Sequence, residues 1–280
     1  MLSTHMHCYV PSSSPDVKLE ARIYLPSWPE KHSSSVKPLS PQIAEEKLKQ
    51  WYGSTSGTGS DGEVQRQRKV IRMVLGVHPW SRLGGNMLDP VLTHSLVPAA
   101  LSHSRIGVKT INMRGVGLSG GWQAWLGSDG AGKDVIAVEE WMGRILGVKE
   151  VWRLGYSWGT MSVLSSAPSP PLRLKGIFLV SPPLSIFKLT AFVSSSLLPA
   201  ALQTVLDDPE TLNTALADRI RIWMIHGTED EFTSNSVYHT FSEKFEGRGL
   251  HVVEIPSGGH FYRSQEEHDL LTKTIEEWLE

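Results

Sequence analysis

The chain has 280 residues, of which 40% are hydrophobic and 20% are charged, and its formal net charge is −2. This length suffices for one large α/β domain, and the near-neutral charge gives no electrostatic basis for binding nucleic acid or an anionic membrane. Cys8 is the only cysteine, which excludes an internal disulfide and a cysteine-based metal cluster. Neither a membrane-spanning apolar run nor a signal-peptide pattern is present, so we expect a cytoplasmic protein.

The N-terminal quarter combines one clear strand with a long irregular stretch. Residues 1–16 are predicted to be a flexible terminus. Apolar and polar residues then alternate from Val17 to Leu25, which predicts a half-buried antiparallel strand at the edge of a sheet. The segment at about 26–68 is rich in Ser, Gly and Pro and predicts an irregular, disordered insert. Within it we expect one short helix, capped by Ser40 and ending before Gly53.

From Lys69 onward, strand-like and helix-like segments alternate. Strands are predicted at about 70–77, 108–113, 148–154, 176–180, 219–225 and 250–255. Such alternation predicts a mainly parallel sheet with helices on both faces and a ligand site at the carboxyl edge of the strands. We therefore expect a single domain over 17–280. Residues 184–218 form a mostly helical insert that could make a small lid.

One of these strands ends in a serine flanked by glycines. The residues Gly155-Tyr156-Ser157-Trp158-Gly159 form the pattern G-x-S-x-G, with a strand-like segment before it and a helix-like segment after it. A nucleophile elbow needs this context, because a sharp turn lifts the serine hydroxyl above the sheet and the glycines avoid clashes. The pentapeptide alone is a weak signal in a chain this rich in Gly and Ser.

Two further residues complete a pattern of nucleophile, acid and base. Asp230 and His260 follow the last two predicted strands, so the chain order is Ser157, Asp230, His260, as in the α/β-hydrolase arrangement. In that scheme His260 takes the proton of Ser157, and Asp230 orients His260. Four other carboxylates remain alternatives for the acid: Glu229, Glu231, Asp207 and Asp208.

The oxyanion formed by such a serine requires two backbone N–H donors. The residue after the nucleophile supplies one, which is Trp158. The loop after the strand at 70–77 supplies the other, for which we predict Trp80, with Ser81 as the second choice, because Pro79 has no N–H. His78 is expected to brace this loop.

Tryptophans are frequent near the predicted site. Trp80 and Trp158 adjoin it in the chain, and Trp122 and Trp125 are expected nearby. An aromatic-walled pocket that favours apolar acyl or aryl groups follows as a hypothesis.

A glycine-rich segment at 127–134 resembles a phosphate-binding loop but departs from it. It has the form G-x-x-x-x-G-K followed by Asp134, where a Ser or Thr hydroxyl would be needed for magnesium. We predict a loop that leads into a helix capped by Asp134. No cofactor or metal is expected.

Several motifs together resemble a family of small α/β-hydrolases. They are His78-Pro79-x4-Gly84-Gly85, then Arg114-Gly115-Val116-Gly117-Leu118-Ser119-Gly120, the Ser157 pentapeptide, and Gly259-His260-Phe261. The resemblance covers about 70–280 and implies an α/β-hydrolase fold with a Ser–Asp–His triad, little or no lid and a generally unassigned substrate. The chain departs from the family in its long insert at 26–68 and in Trp80, which stands where the family often has a second histidine.

The expected function is a serine hydrolase that cleaves a carboxylic ester through an acyl-enzyme. Thioesters, lactones and amides can be cleaved by the same groups, and acyl transfer or peptidase activity would use the same triad. The substrate is expected to be a small molecule with an apolar group. The alternative is a ligand-binding or partner-binding protein that keeps the fold without catalysis. The sequence does not identify a protein partner.

Overall fold

A mostly parallel sheet of eight strands organises the chain. The computed structural model describes residues 4–26, 28, 37–54, 70, 72–123, 130–164, 168–184, 197–206 and 220–280. Within these ranges the strands are β1 Met6–Pro11, β2 Lys18–Tyr24, β3 Arg72–Val77, β4 Ile106–Ile111, β5 Glu150–Tyr156, β6 Arg173–Val180, β7 Arg221–Gly227 and β8 Leu250–Ile255.

The strand order is β1-β2-β4-β3-β5-β6-β7-β8. The two pairs β1–β2 and β2–β4 are antiparallel and the other five pairs are parallel. From β3 the chain crosses first to β4 on one side and then to β5 on the other, so the strand order reverses at β3. In open α/β sheets, ligands bind at such a switch point, beyond the carboxyl ends of the strands.

Helices cover both faces of the sheet, as predicted. They are α1 Pro41–Ser54, α2 Val97–Leu101 (preceded by a π-helical segment Val91–Leu96), α3 Ala131–Leu146, α4 Gly159–Val163, α5 Leu197–Leu206, α6 Asn235–Glu243 and α7 Gln265–Leu279. Successive residues of β3 point to opposite faces, so Leu75 packs in the apolar cluster with α1 and α3, and Val74 in the cluster with α2 and α7.

The N-terminal stretch corrects one expectation. Residues 1–16 were predicted to be flexible and β2 to be the edge strand, but β1 lies within this stretch and forms the edge itself. Met6, Cys8 and Val10 are fully buried in the apolar cluster that α1 and α3 cover. This period-two pattern has only three apolar members, which is why it was missed. Because β1 and the other strands form one sheet, we propose one domain that begins at β1 rather than at residue 17.

Helix α1 shows that part of the predicted insert at 26–68 is packed. The helix begins at Pro41 as expected, and the Ser40 Oγ accepts a hydrogen bond from the Ile43 N–H at 3.3 Å. Ala44 and Leu48 are fully buried in the apolar cluster against β1 and α3. The structure thus contains the short helix that the sequence predicts within the insert, although the helix runs past Gly53 to Ser54. Residues 29–36 and 55–69 lie outside the described ranges.

Leu48→Ala is expected to lower the free energy of unfolding by about 2–3 kcal/mol, because it leaves a cavity under α1. Urea unfolding measures the change. Glu46→Ala is the matched control, since Glu46 is exposed on the same helix. Equal stability of both variants would contradict the packing of α1 described here.

The predicted lid at 184–218 is described only at Leu184 and in α5. Leu202 is fully buried and Leu206 nearly so, and both pack in the apolar cluster of α3. The remaining residues lie outside the described ranges, so a lid stays a prediction. Among the helices that the structure describes, none combines the length and apolar character of a membrane span.

Candidate active site

A sharp turn joins β5 to α4 and carries Ser157. Its φ angle of 50° lies in the left-handed region, which non-glycine residues rarely adopt. A Cβ on Gly155 would lie 2.6 Å from the Gly159 carbonyl oxygen, and a Cβ on Gly159 would lie 2.7 Å from that of His78. Both positions therefore require glycine. This is the strand–serine–helix geometry that the sequence predicted.

The loops after β7 and β8 bring Asp230 and His260 to Ser157. The His260 Nε2 lies 3.0 Å from the Ser157 Oγ, and the His260 Nδ1 lies 2.8 Å from the Asp230 Oδ2. All three residues are more than nine-tenths buried. The residues that the sequence placed in three separate segments thus form one continuous hydrogen-bonded chain.

The Asp230 carboxylate has donors on both oxygens. Its Oδ1 accepts from the backbone N–H groups of Phe232 (2.8 Å) and Thr233 (2.9 Å), and its Oδ2 accepts from the Tyr238 hydroxyl at 3.1 Å besides His260. Burial alone would raise the pKa of Asp230, but the hydrogen bond and charge of His260 and the two N–H groups outweigh it and hold the pKa below its ordinary value. An ionised Asp230 accepts the Nδ1–H of His260, which leaves Nε2 as the acceptor for the serine proton.

Of the alternative acids, the two that the structure describes, Glu229 and Glu231, make no hydrogen bond to the His260 ring. Glu229 is exposed, and Asp207 and Asp208 lie outside the described residues. Glu231 instead accepts a hydrogen bond from the His260 backbone N–H at 2.6 Å and pairs with Arg263 at 3.0 Å. Its carboxylate therefore braces the loop that carries His260.

Two more side chains that the sequence analysis missed hold this loop. The Tyr156 hydroxyl donates to the His260 carbonyl oxygen at 2.7 Å. Glu267 accepts from the Gly259 N–H at 2.9 Å and forms a capping box with Ser264 at the start of α7. The Ser264-x-x-Glu267 spacing is typical of a capping box, so the sequence could have indicated the position of Glu267.

His78 fixes the loop after β3. Its Nδ1 donates to the Pro79 carbonyl oxygen at 2.6 Å, and its Nε2 accepts from the Met113 N–H at 3.1 Å. Burial lowers the pKa of His78 to about 4, so the ring is neutral near pH 7. These contacts correspond to the bracing role expected from the sequence.

Trp80 and Trp158 meet next to Ser157. Their rings stack with centroids 5.3 Å apart and an interplanar angle of 18°. The stacked pair brings the loop after β3 against the beginning of α4, so both segments predicted to carry oxyanion donors adjoin the serine.

A cavity of about 150 Å³ opens at Ser157 and His260. Apolar and aromatic side chains form most of its wall, namely those of Pro79, Trp80, Leu83, Trp158, Pro183, Phe232 and Phe261. Trp122 was expected near the site, and it lines a second cavity of about 60 Å³ that shares Trp80 and Trp158 with the first but does not include Ser157 or His260. Trp125 lies outside the described residues. In the described part of the chain, no cluster of three or more His, Cys, Asp or Glu side chains could hold a metal ion.

Asp89 is a lining residue that the sequence analysis did not identify. Its Oδ1 accepts a hydrogen bond from the Val91 N–H at 3.0 Å. Burial raises the pKa of Asp89 to about 6, although this hydrogen bond and the attraction of His260 oppose the rise. The carboxylate is consequently ionised near pH 7.5 at a site that disfavours its charge.

Asp89→Asn is expected to raise the free energy of unfolding at pH 7.5 and to raise it much less at pH 4. A pKa raised from 3.8 to about 6 means that ionisation of Asp89 opposes folding. This cost in the free energy of unfolding is small at pH 4, grows between pH 4 and 6, and reaches about 2–3 kcal/mol above pH 6. Urea unfolding at both pH values tests this, with the exposed Asp16→Asn as the control. If the variant and the native protein differ in free energy of unfolding by the same amount at both pH values, the raised pKa of Asp89 is contradicted.

Solved structures share this fold at low sequence identity. A serine hydrolase homologue from Coxiella burnetii has 18% identity and a TM-score of 0.62, with 98% of this chain and 99% of that chain covered. A Xanthomonas campestris serine hydrolase without a lid has 18% identity and a TM-score of 0.60, with 100% and 96% covered. Est1E from Butyrivibrio proteoclasticus, with ferulic acid bound, has 14% identity and a TM-score of 0.61, with 97% of each chain covered.

No curated protein matches the sequence significantly. A family model described as the alpha/beta hydrolase fold matches residues 84–239, which is more than half of the chain. The match includes Ser157 and Asp230, and the sheet described above continues on both sides of the matched residues. The chain belongs to the α/β-hydrolase fold family.

Proposed function

We propose that the protein is a serine hydrolase that cleaves carboxylic esters, with Ser157, His260 and Asp230 as its catalytic triad. The observation that carries the proposal is the hydrogen-bonded chain from Asp230 through His260 to Ser157, at 2.8 and 3.0 Å, at the mouth of an apolar cavity. A buried serine hydroxyl at hydrogen-bond distance from an oriented imidazole is the arrangement that activates a serine for attack.

In the first half of the reaction, the Ser157 Oγ attacks the ester carbonyl carbon while the His260 Nε2 takes its proton. The backbone N–H groups of Trp158 and Trp80 stabilise the resulting oxyanion. Asp230 stays ionised and stabilises the imidazolium. The intermediate then collapses, the bond to the alcohol oxygen breaks, and His260 returns the proton to that oxygen. The alcohol leaves and the acyl group stays on Ser157.

In the second half, a water molecule attacks the acyl-enzyme. His260 takes the proton of the water, the same N–H groups hold the oxyanion, and the collapse returns the proton to the Ser157 Oγ. The products are the free acid and the resting enzyme. No step needs a cofactor.

The cavity supports a small substrate. Its volume of about 150 Å³ accommodates a short acyl or aryl group, and its apolar wall favours the burial of such a group. Two structures with the same fold are described as esterases or as binding an aromatic acid: the Pyrococcus furiosus esterase Pf2001 and Est1E with ferulic acid. These descriptions concern distant proteins and make an ester the first bond to test.

Hydrolysis of aryl esters of graded acyl length tests the proposal. We expect the native protein to hydrolyse acetyl and butanoyl esters, and Ser157→Ala to be inactive. Ser162→Ala is the matched control, because it makes the same substitution at another buried serine, in α4 just after the elbow. Equal rates for the native protein and Ser157→Ala would overturn the proposal. So would failure of the folded native protein to hydrolyse any ester, which would favour the binding-protein alternative.

A further inference from the structure

The cavity at Ser157 contains one carboxylate outside the triad. Among the described residues that line it, Asp89 is the only acidic residue, and neither a lysine nor an arginine lines it. One oxygen of Asp89 accepts from the Val91 N–H at 3.0 Å, and the other makes no hydrogen bond with any described residue. The cavity therefore holds a half-buried negative charge with one carboxylate oxygen that has no hydrogen-bond donor among the described residues.

The neighbouring carboxylates, in contrast, have hydrogen-bond partners on both oxygens. Asp230 is bonded to His260, Tyr238 and two backbone N–H groups. Glu231 is bonded to the His260 backbone and to Arg263. Asp89 is thus the acidic group in the site that remains available to a substrate.

The other residues that line the cavity also favour a cationic group. Trp80, Trp158, Phe232 and Phe261 present aromatic rings to the same cavity. Aromatic faces attract cations, and a half-buried carboxylate is stabilised by a cation that pairs with it. A substrate carboxylate in this cavity would instead meet a like charge.

We propose that the site selects esters that carry a protonated amine close to the scissile bond, and that Asp89 binds this ammonium group. The inference rests on the proposed function, since it names the substrate class of the same site. The ammonium group donates to the unused oxygen of Asp89, while the aliphatic part of the substrate contacts the aromatic wall. Ser157 cleaves the ester bond of this substrate through the same reaction steps as described above.

Two matched series of esters test the proposal at pH 7.5. The first has one aryl alcohol with 3-aminopropanoyl, butanoyl or succinyl as the acyl group. The second has one acyl group with 2-aminoethanol or propanol as the alcohol. We expect kcat/KM for the amine to exceed that for its neutral isostere at least tenfold in one series, and the succinyl ester to be the poorest substrate. Asp89→Asn should bring the amine-to-neutral ratio close to one, whereas Asp16→Asn should keep it.

The outcomes separate this inference from the proposed function. If the neutral esters are hydrolysed and neither amine is preferred, or if Asp89→Asn keeps the preference, the Asp89 assignment fails while the role of Ser157 stands. If no ester is hydrolysed, binding of 3-aminopropanamide and butanamide to the folded protein, measured by NMR titration, decides the matter. Tighter binding of the amine that is lost in Asp89→Asn supports the inference, and equal binding of the two amides overturns it.

Discussion

Asp230→Asn is expected to lower kcat/KM by about four orders of magnitude and to leave the fold intact. The two backbone N–H groups on the Asp230 Oδ1 can hold the oxygen of an amide in place. The amide nitrogen would then face the His260 Nδ1 and donate to it. His260 would carry its proton on Nε2, which faces the Ser157 Oγ and could no longer accept the serine proton.

Steady-state hydrolysis of a butanoyl aryl ester measures the loss, and circular dichroism with thermal melting shows whether the variant folds. Glu229→Gln is the matched control, because this neighbouring carboxylate is exposed and should leave the rate unchanged. A folded Asp230→Asn variant within tenfold of the native rate would show that another group orients His260.

Gly159→Ala is expected to lower the free energy of unfolding by about 3 kcal/mol and to abolish ester hydrolysis. The new Cβ would lie 2.7 Å from the His78 carbonyl oxygen and closer still to that of Val77. Both oxygens belong to the backbone at the end of β3, and the neighbouring His78 ring is buried and bonded to Met113. Since this backbone cannot yield without disturbing the sheet, α4 would have to move away and shift Ser157.

Urea unfolding and the ester assay together measure this effect. Gly120→Ala serves as the control, because a Cβ there has its nearest neighbour at 3.7 Å and the change needs no movement. A Gly159→Ala variant with native stability and native activity would contradict the close approach of α4 to β3.

The hydrogen-bonded arrangement of Ser157, Asp230 and His260 could be predicted from the sequence because its geometry follows from strand ends. Ser157, Asp230 and His260 each stand just beyond a parallel strand, and parallel strands bring their carboxyl ends to one edge of the sheet. Asp230 was preferred over its neighbours by this position alone, and the structure places its carboxylate on the His260 ring. Knowledge of strand positions to within a few residues was sufficient for this prediction.

Other features depend on how the loops fold, and the sequence pattern does not encode that. Asp89 reaches the cavity because the segment after Gly84-Gly85 turns back toward His260, and no spacing rule indicates that turn. Trp122 follows a glycine-rich loop whose course places it in a second cavity with Trp80 rather than in the cavity of Ser157. Strand β1 was missed because Met6, Cys8 and Val10 form too short an alternation to stand out.

Covalent labelling by a fluorophosphonate shows whether Ser157 is an activated nucleophile. Intact mass spectrometry followed by peptide mapping should show one adduct, on Ser157, and none in Ser157→Ala. Labelling should be much slower in Asp230→Asn, because His260 would no longer accept the serine proton. An adduct on a different serine, or no adduct in the folded native protein, would contradict the role of Ser157 as the nucleophile.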